Sequence, residues 1–168
     1  MAPRPLLLVD VDGVLLPFPD RRPGFDGIAI ENAPHGFCPA HGAWLRELTG
    51  HFDLAWCSMW GERANRDICP RLGLPPLAVV DLWDEDDGLD RWKLPAVRRF
   101  AGHRPVAWLD DSFDPATRAW AAEREAPTLL VGVGHRTGLH RRHVLRLSRF
   151  ARAGGGSMSR HERADLPQ

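Results

Sequence analysis

Aspartate residues stand in two pairs, each directly after an apolar run of the sequence. Asp10 and Asp12 follow the first such run, and Asp110 and Asp111 follow a later one. Like charges ~4 Å apart repel each other by on the order of 4 kcal/mol at an effective dielectric constant of about 20. Carboxylates that converge on one cleft therefore need a bound cation or shifted pKa values. Oxygen ligands favour a hard cation, and a few carboxylates with waters and a phosphate oxygen suit Mg²⁺.

The first pair has the residue types needed for phosphoryl transfer. A carboxylate such as Asp10, beside a metal ion, can attack phosphorus and form an aspartyl-phosphate, which divides one difficult displacement into two easier ones. Asp12 can protonate the leaving oxygen and later deprotonate the attacking water. Gly13 lets the chain turn sharply next to the substrate. The spacing therefore predicts a phosphohydrolase with Asp10 as nucleophile and Asp12 as acid and base.

Two further positions add donors and positive charge for a phosphoryl group. Ser58 follows a second predicted strand and supplies a hydroxyl, with amide donors beside it at Met59 and Trp60. Lys93 precedes a later strand, and its charge would stabilise a transferring phosphoryl group. We expect the substrate to be bound by Gly13, Ser58, Met59, Trp60 and Lys93. The Trp60 ring could instead pack in the core, or stack on a base or ribose.

Apolar runs alternate with helical patterns along the chain. The predicted strands are 6–9, 52–57, 77–80, 106–109 and 129–133. The predicted helices are 43–48, 62–72, 94–100, one that begins at Asp114-Pro115, and 140–152. This alternation predicts an α/β fold, a three-layer sandwich with a mainly parallel central sheet of about five strands. Ligands bind at the carboxyl ends of the strands in such sheets, where both aspartate pairs lie.

The remaining segments predict a single domain over residues 1–152 and a disordered tail over 153–168. Residues 13–40 are rich in Gly, Pro and Asp and predict a long loop, with a small hairpin near 28–30. The segments between the motifs have no room for a sizeable cap domain. An uncapped site would admit a polymer end, a protein phosphoester or a nucleotide.

The order of these motifs resembles the haloacid dehalogenase (HAD) superfamily. DVDGV at 10–14, Ser58, Lys93 and Asp110-Asp111 are similar to the four motifs of that superfamily, and the resemblance covers roughly residues 5–135. It implies a HAD-like Rossmannoid fold and a Mg²⁺-dependent phosphatase. It also implies that the metal is held by the Asp10 carboxylate, the Asp12 backbone carbonyl and the Asp111 carboxylate, with Asp110 acting directly or through water.

A narrower resemblance concerns the HAD domain of Swiss Army Knife RNA repair proteins. The similar stretches are 41–42, 58–65, 72–75, 108–111 and 136–139. Ser58 stands where that branch leads us to expect threonine, so the hydroxyl is kept. This resemblance implies a phosphatase that acts on polynucleotide ends. Arginines that cluster within 136–152, on a predicted helix with Val144, Leu147 and Ala151 on one face, would then contact RNA or DNA phosphates.

Composition excludes several other classes. The 168 residues contain 22 Lys and Arg against 22 Asp and Glu, so net charge favours neither nucleic acid nor membrane as a partner. Three cysteines cannot all pair within one chain, and the apolar run at 6–9 is too short for a signal peptide or a membrane span. We therefore expect a cytoplasmic protein. Its oligomeric state stays open.

The sequence also has to be compared with two other functions and one other type of metal site. A signalling receiver domain uses similar residues, but its paired acids end the first strand and its phosphorylated aspartate ends the third, an order that this sequence does not have. A catalytically silent module that binds phosphate or nucleic acid would keep the fold but usually lose the reactive side chains. His35, Cys38 and His41 have the types of zinc ligands, but no second ligand pair with zinc spacing follows.

Overall fold

The computed structural model describes residues 4–17, 37–82 and 93–153, which form one parallel sheet covered by helices. The strands are β1 (Leu6–Val9), β2 (Asp53–Trp56), β3 (Ala78–Val79), β4 (Val106–Asp110) and β5 (Thr128–Gly132). The helices are α1 (Pro39–Thr49), α2 (Cys69–Leu72), α3 (Leu94–Ala101), α4 (Pro115–Glu123) and α5 (Arg141–Arg152). The predicted hairpin near 28–30 and the tail beyond 153 lie outside the described residues.

The strand order is β3-β2-β1-β4-β5, and every pair is parallel. Leu6 of β1 stands opposite Asp53 of β2 on one side and Val106 of β4 on the other. All four residues of β1 are buried, because a central strand of a parallel sheet is covered on both faces. This explains why its sequence is a continuous apolar run rather than an alternating one.

Helices cover both faces of the sheet and make three layers. Leu7 and Val9 of β1 pack in the core that also holds the apolar side chains of α1, α2 and α5. Leu6 and Leu8 point to the opposite face and pack with those of α3 and α4. The predicted three-layer α/β sandwich is therefore confirmed. In the described ranges every helix packs on this sheet, and no cap domain is present there.

The sheet changes direction between β1 and β4, and this positions the aspartate pairs. From β1 the chain proceeds to β2 and β3 on one side, whereas β4 and β5 lie on the other. The loops that leave the carboxyl ends of β1 and β4 therefore diverge and open a crevice. Asp10 follows the last residue of β1, and Asp110 is the last residue of β4. The two pairs meet at this crevice.

The predicted bounds of several elements were wrong for identifiable reasons. α1 begins at Pro39, four residues before the predicted start, because proline suits the first position of a helix. The predicted helix over 62–72 has the predicted bounds, but Ala64–Ile68 within it forms a π-helical turn before α2. Pro70 explains this turn, since it lacks an N–H and its ring clashes with the preceding helical turn. β3 is only two residues long and follows Pro75-Pro76.

One helix start and one helix face agree with the prediction from sequence. Asp114 caps α4, and its carboxylate accepts a 2.6 Å hydrogen bond from the backbone N–H of Thr117. In α5, Val144 and Leu147 are buried and Ala151 is half-buried, so the predicted apolar face packs on the core. None of the helices in the described part of the chain is long and apolar enough to cross a membrane.

Candidate active site

A cavity of about 260 Å³ opens where β1 and β4 end. Its lining includes Asp10, Asp12, Ser58, Met59, Lys93, Asp110 and Asp111, all of them predicted site residues. Leu94, Trp108, Ser112, Asp114 and Thr117 complete the lining. The topology therefore brings together both aspartate pairs, the serine and the lysine, which are up to a hundred residues apart in the sequence.

Lys93 lies between the carboxylates at the ends of β1 and β4 and pairs with both. Its Nζ is 2.8 Å from Asp10 Oδ2 and 2.7 Å from Asp110 Oδ2. Burial alone would lower the pKa of Lys93, but the charges of the two carboxylates outweigh it and hold that pKa above its usual value. Lys93 is therefore a permanent cation inside the site.

Asp10 is buried and stays largely ionised at neutral pH. Burial raises the pKa of Asp10 to about 6, with the charge of Lys93 acting in the opposite direction and the charge of Asp110 adding to the rise. Its Oδ1 accepts a 2.8 Å hydrogen bond from the N–H of Val11. Only an ionised carboxylate attacks phosphorus, so this pKa is compatible with a nucleophile at pH 7 and above.

Asp110 has its hydrogen-bonding capacity largely used by the protein. Its Oδ2 accepts from Lys93 Nζ and, at 3.2 Å, from Trp108 Nε1, while its Oδ1 accepts a 3.1 Å bond from the N–H of Ser112. With three donors around it, Asp110 is 2% exposed. Its main role is therefore to hold Lys93 and to contribute negative charge.

Three carboxylates converge in a way that fits a hard cation. Asp10, Asp110 and Asp111 each offer an oxygen, and these oxygens all lie within 4.8 Å of one another. Burial, followed by the neighbouring Asp110, raises the pKa of Asp111, which is the most exposed of the three. An oxygen-only set of this kind, completed by water and substrate oxygens, fits Mg²⁺. The Asp12 backbone carbonyl as a ligand stays a prediction.

Gly13 lets the turn after β1 approach the second aspartate pair. Its φ is 75°, which favours glycine. A Cβ added there would collide with the carboxylate of Asp111. The turn is closed by hydrogen bonds from the N–H of Gly13 to the carbonyl of Leu16, at 2.7 Å, and from the N–H of Leu15 to the carbonyl of Val11, at 2.8 Å. Gly13 therefore sets the distance between the two pairs rather than lining the cavity.

Asp12 is held by Trp60. The indole Nε1 of Trp60 donates a 3.0 Å hydrogen bond to Asp12 Oδ2. Burial raises the pKa of Asp12, and the Trp60 hydrogen bond acts in the opposite direction. Asp12 lines the cavity whereas Trp60 does not, so Trp60 supports the acid from behind. The Trp60 hydrogen bond was not predicted from the sequence, from which core packing or stacking on a base was expected for this ring.

Ser58 and Met59 form the other wall. Ser58 is 2% exposed and directly follows the buried Cys57, whose N–H bonds to the carbonyl of Val9. This bond continues the pairing of β1 with β2 and places Ser58 near Asp10. Met59 is 45% exposed and stands at the rim. Both residues line the cavity, and their contact with a bound phosphoryl group stays a prediction.

Sequence reasoning missed two residues that support the site. Trp108 lies two positions before Asp110 on β4, so both side chains point to the same face, where the indole donates to the carboxylate. Thr117 is 4% exposed and lines the cavity from the first turn of α4. The period of two along a strand could have identified Trp108, because it places Trp108 and Asp110 on the same face. For Thr117, the sequence offered only the helix cap at Asp114, three residues earlier.

The other candidate residues are not part of the cavity lining. His41 is buried, and its Nε2 is 3.2 Å from the carbonyl oxygen of Leu139. Of the zinc-like trio, His35 is outside the described residues and Cys38 is half-buried. In the arginine-rich segment, Arg141 is bonded to Glu47 and Arg146 is half-buried, whereas Arg136 and Arg142 are exposed.

Comparison with known proteins adds no relative. The chain matches no model of a protein family, no curated protein and no solved structure.

Proposed function

We propose that this chain is a Mg²⁺-dependent phosphohydrolase of the HAD type that works through an aspartyl-phosphate on Asp10. The observation that carries the proposal is the position of Asp10: a buried carboxylate 2.8 Å from Lys93, in one cavity with Asp12, Asp110 and Asp111. No structural need explains so many carboxylates around one lysine, because unbalanced buried charge destabilises a fold. A divalent cation would offset the excess negative charge and allow an anionic phosphoryl group to bind beside it.

In the first step of the proposed reaction, an Asp10 oxygen attacks phosphorus and the bond from phosphorus to the leaving oxygen breaks. Asp12 gives its proton to that oxygen, so an alcohol leaves and an acyl phosphate remains on Asp10. Lys93 and the Ser58 hydroxyl stabilise the phosphoryl oxygens. When bound, Mg²⁺ supplies positive charge that screens the repulsion between the carboxylates and the phosphate.

In the second step, Asp12 takes a proton from water as the water oxygen attacks phosphorus. The bond from phosphorus to the Asp10 oxygen breaks, which releases inorganic phosphate and restores both carboxyl groups. Asp12 thus acts as acid and then as base, the task of a positioned general acid-base catalyst. Asp10 and Asp12 flank the same cavity, as this sequence of steps requires.

Hydrolysis of p-nitrophenyl phosphate with and without Mg²⁺ tests the proposal. Asp10→Asn should lower kcat by at least about 10³-fold, since an amide is a far poorer nucleophile and the covalent intermediate is lost. Asp53→Asn is the matched control: this aspartate starts β2 at the opposite end of the sheet and should keep full activity. Activity of Asp10→Asn within tenfold of the wild type would contradict the covalent mechanism. Phosphate binding without any turnover by the wild type would favour the silent binding module instead.

The substrate class that we propose is a terminal phosphate on a polynucleotide. The loop after β5 carries the exposed Arg136 and is joined to the turn after β1 by a 2.7 Å hydrogen bond from Leu139 to Val14. Arg142, also exposed, follows in the first turn of α5. These arginines therefore lie on chain segments that border the site, where they would bind the next phosphates of a strand.

Salt dependence tests this substrate class. Each phosphate contact contributes a slope of about −0.7 in log affinity against log salt for single strands. Replacing Arg136 and Arg142 with Ala should weaken binding of 5′- and 3′-phosphorylated oligonucleotides and flatten the slope by about 1.4. Hydrolysis of p-nitrophenyl phosphate should be unchanged. An unaltered slope would leave the enzyme proposal standing and assign it a smaller substrate.

A further inference from the structure

Trp60 is held in place by core packing and by a neighbouring arginine. It lies in the turn after β2, which is closed by a 3.0 Å hydrogen bond from Gly61 to Ser58. Its ring packs partly against the core, and the guanidinium carbon of Arg63 lies 4.9 Å from the ring centroid. Arg63 itself pairs with Asp67 at 3.6 Å. The indole is therefore fixed by core packing and a cation on its ring, and its N–H points in one direction.

That direction is the carboxylate of Asp12, at 3.0 Å from Nε1 to Oδ2. The backbone bonds of the turn at 11–16 fix the main chain of Asp12 but not its side chain. Within the described residues, the Trp60 bond is the hydrogen bond formed by the Asp12 carboxylate. The orientation of the proposed acid is thus set by a residue 48 positions away in the sequence.

An indole N–H can only donate, so the oxygen that it contacts must act as an acceptor. When Asp12 carries a proton, the proton therefore belongs on Oδ1, the oxygen that Trp60 leaves open. Asp12 lines the cavity and Trp60 is not part of its lining, so Oδ1 is the carboxyl oxygen that the indole leaves for exchange with a molecule in the cavity. We infer that Trp60 is a positioning residue that selects which oxygen of Asp12 exchanges a proton with the leaving group and with water.

The inference rests on the proposed phosphatase reaction and gives Trp60 no contact with the substrate. Without the indole N–H, the Asp12 carboxyl group rotates and its proton is misdirected for part of the time. Steps that need proton transfer at Asp12 then slow down. The attack of Asp10 on an ester with a good leaving group, which needs no proton, does not.

The test compares two esters in the full chain with Mg²⁺: p-nitrophenyl phosphate and a simple alkyl phosphate. Trp60→Phe removes the N–H and keeps an aromatic ring. It should slow alkyl phosphate hydrolysis by about 10- to 100-fold, the usual worth of a hydrogen bond to a charged group. The rapid first release of nitrophenolate should keep its rate, while the following steady state, which needs Asp12 as base, slows. KM should change by less than about twofold.

Controls separate positioning from structural damage. Trp44→Phe changes another half-buried tryptophan packed against the same core but outside the cavity, and it should leave both esters unaffected. If Trp60→Phe does not fold, 3-benzothienylalanine at position 60 replaces the N–H by sulfur at nearly constant volume. In an Asp12→Asn background, either change at position 60 should have no further effect on alkyl phosphate, since the group it positions is already lost.

Slowing of the first release of nitrophenolate to the same extent as alkyl phosphate hydrolysis, or an undiminished effect of the Trp60 change in the Asp12→Asn background, would overturn the inference. A wild-type protein that hydrolyses neither ester would instead refute the proposed function itself. The two failures are therefore distinguishable in the same set of measurements.

Discussion

Both ends of the sheet carry a cluster of three charged side chains, and the two clusters differ in burial. At the carboxyl ends of the strands, Lys93 joins Asp10 and Asp110, with side chains 10%, 8% and 2% exposed. At the amino ends, Asp53 pairs with Arg4 and Arg104, and these side chains are 48%, 50% and 34% exposed. Both clusters combine aspartate with a basic residue, and the cluster at the carboxyl ends is much less exposed to water.

Burial changes what the same charges do. In water, the exposed cluster gains little from pairing, because the medium screens the charges and long side chains lose freedom. In the cavity, removal from water raises the pKa of Asp10 and makes each charge dependent on its neighbours. Reactive chemistry is therefore favoured at the carboxyl ends, whereas the arginine cluster at the amino ends supports the fold. The following predictions test this contrast.

The largest effect should come from Lys93→Met. The variant leaves Asp10 and Asp110 buried without their cation, which typically costs about 3–5 kcal/mol in the free energy of unfolding. The remaining carboxylates then hold protons more tightly when folded than when unfolded. Stability of the variant should therefore rise as the pH falls from 8 to 5, the direction that linkage requires. Urea unfolding across this pH range measures both effects.

Two additions sharpen the Lys93→Met experiment. Mg²⁺ should recover part of the lost stability, because a cation that binds the folded state alone stabilises it. Arg4→Met, on the exposed cluster, should cost less than about 1 kcal/mol at every pH. Equal losses for Lys93→Met and Arg4→Met would remove the distinction between the two ends.

An intermediate effect is expected for Asp10→Asn in the absence of divalent cations. The folded pKa of Asp10, about 6, lies above its unfolded value near 3.8, so the folded state prefers the neutral acid. Ionised Asp10 consequently destabilises the fold above pH 6, and this penalty disappears as the pH falls. A neutral amide should therefore stabilise the protein at pH 7–8, by about 1–3 kcal/mol, and much less at pH 5.

Thermal unfolding in the presence of a chelator measures this change. An inactive variant that is more stable than the wild type would mean that the site keeps the charge for its chemistry and not for the fold. Lower stability of Asp10→Asn at pH 8 would instead assign Asp10 a structural role beside Lys93.

The smallest effect belongs to Asp53→Asn. Asp53 is 48% exposed and its bonds to Arg4 and Arg104 are in contact with water. The change should lower the free energy of unfolding by less than about 1 kcal/mol, and 1 M salt should reduce the difference further. A loss above about 2 kcal/mol in the free energy of unfolding would show that the charged side chains at the amino ends depend on one another as strongly as those in the cavity.

The sequence allowed the fold to be predicted because its signals are local. The apolar runs of β1 and β4 end at aspartates, and the alternation of strands with helices implies a parallel sheet. The convergence of Asp10, Lys93 and Asp110 also followed, since the carboxyl ends of parallel strands share one edge. These inferences need only the direction and order of the elements.

Side-chain directions in the turns could not be obtained in the same way. The hydrogen bond from Trp60 to Asp12 depends on the conformation of the turn, in which Gly61 has φ 50°, and on the packing of Arg63. Such contacts are set by tertiary structure rather than by local pattern. The π-helical turn before Pro70 was in principle readable from the proline, and the predicted continuous helix neglected it.

The close approach of Gly13 to Asp111 has a genetic consequence. Every replacement of the glycine by another amino acid adds a Cβ, and a Cβ at this position meets the Asp111 carboxylate. The left-handed backbone at φ 75° disfavours the same replacements for a second reason. Among single nucleotide changes in this codon, only synonymous ones should therefore be neutral. Lineages that retain the aspartate pair should therefore retain this glycine.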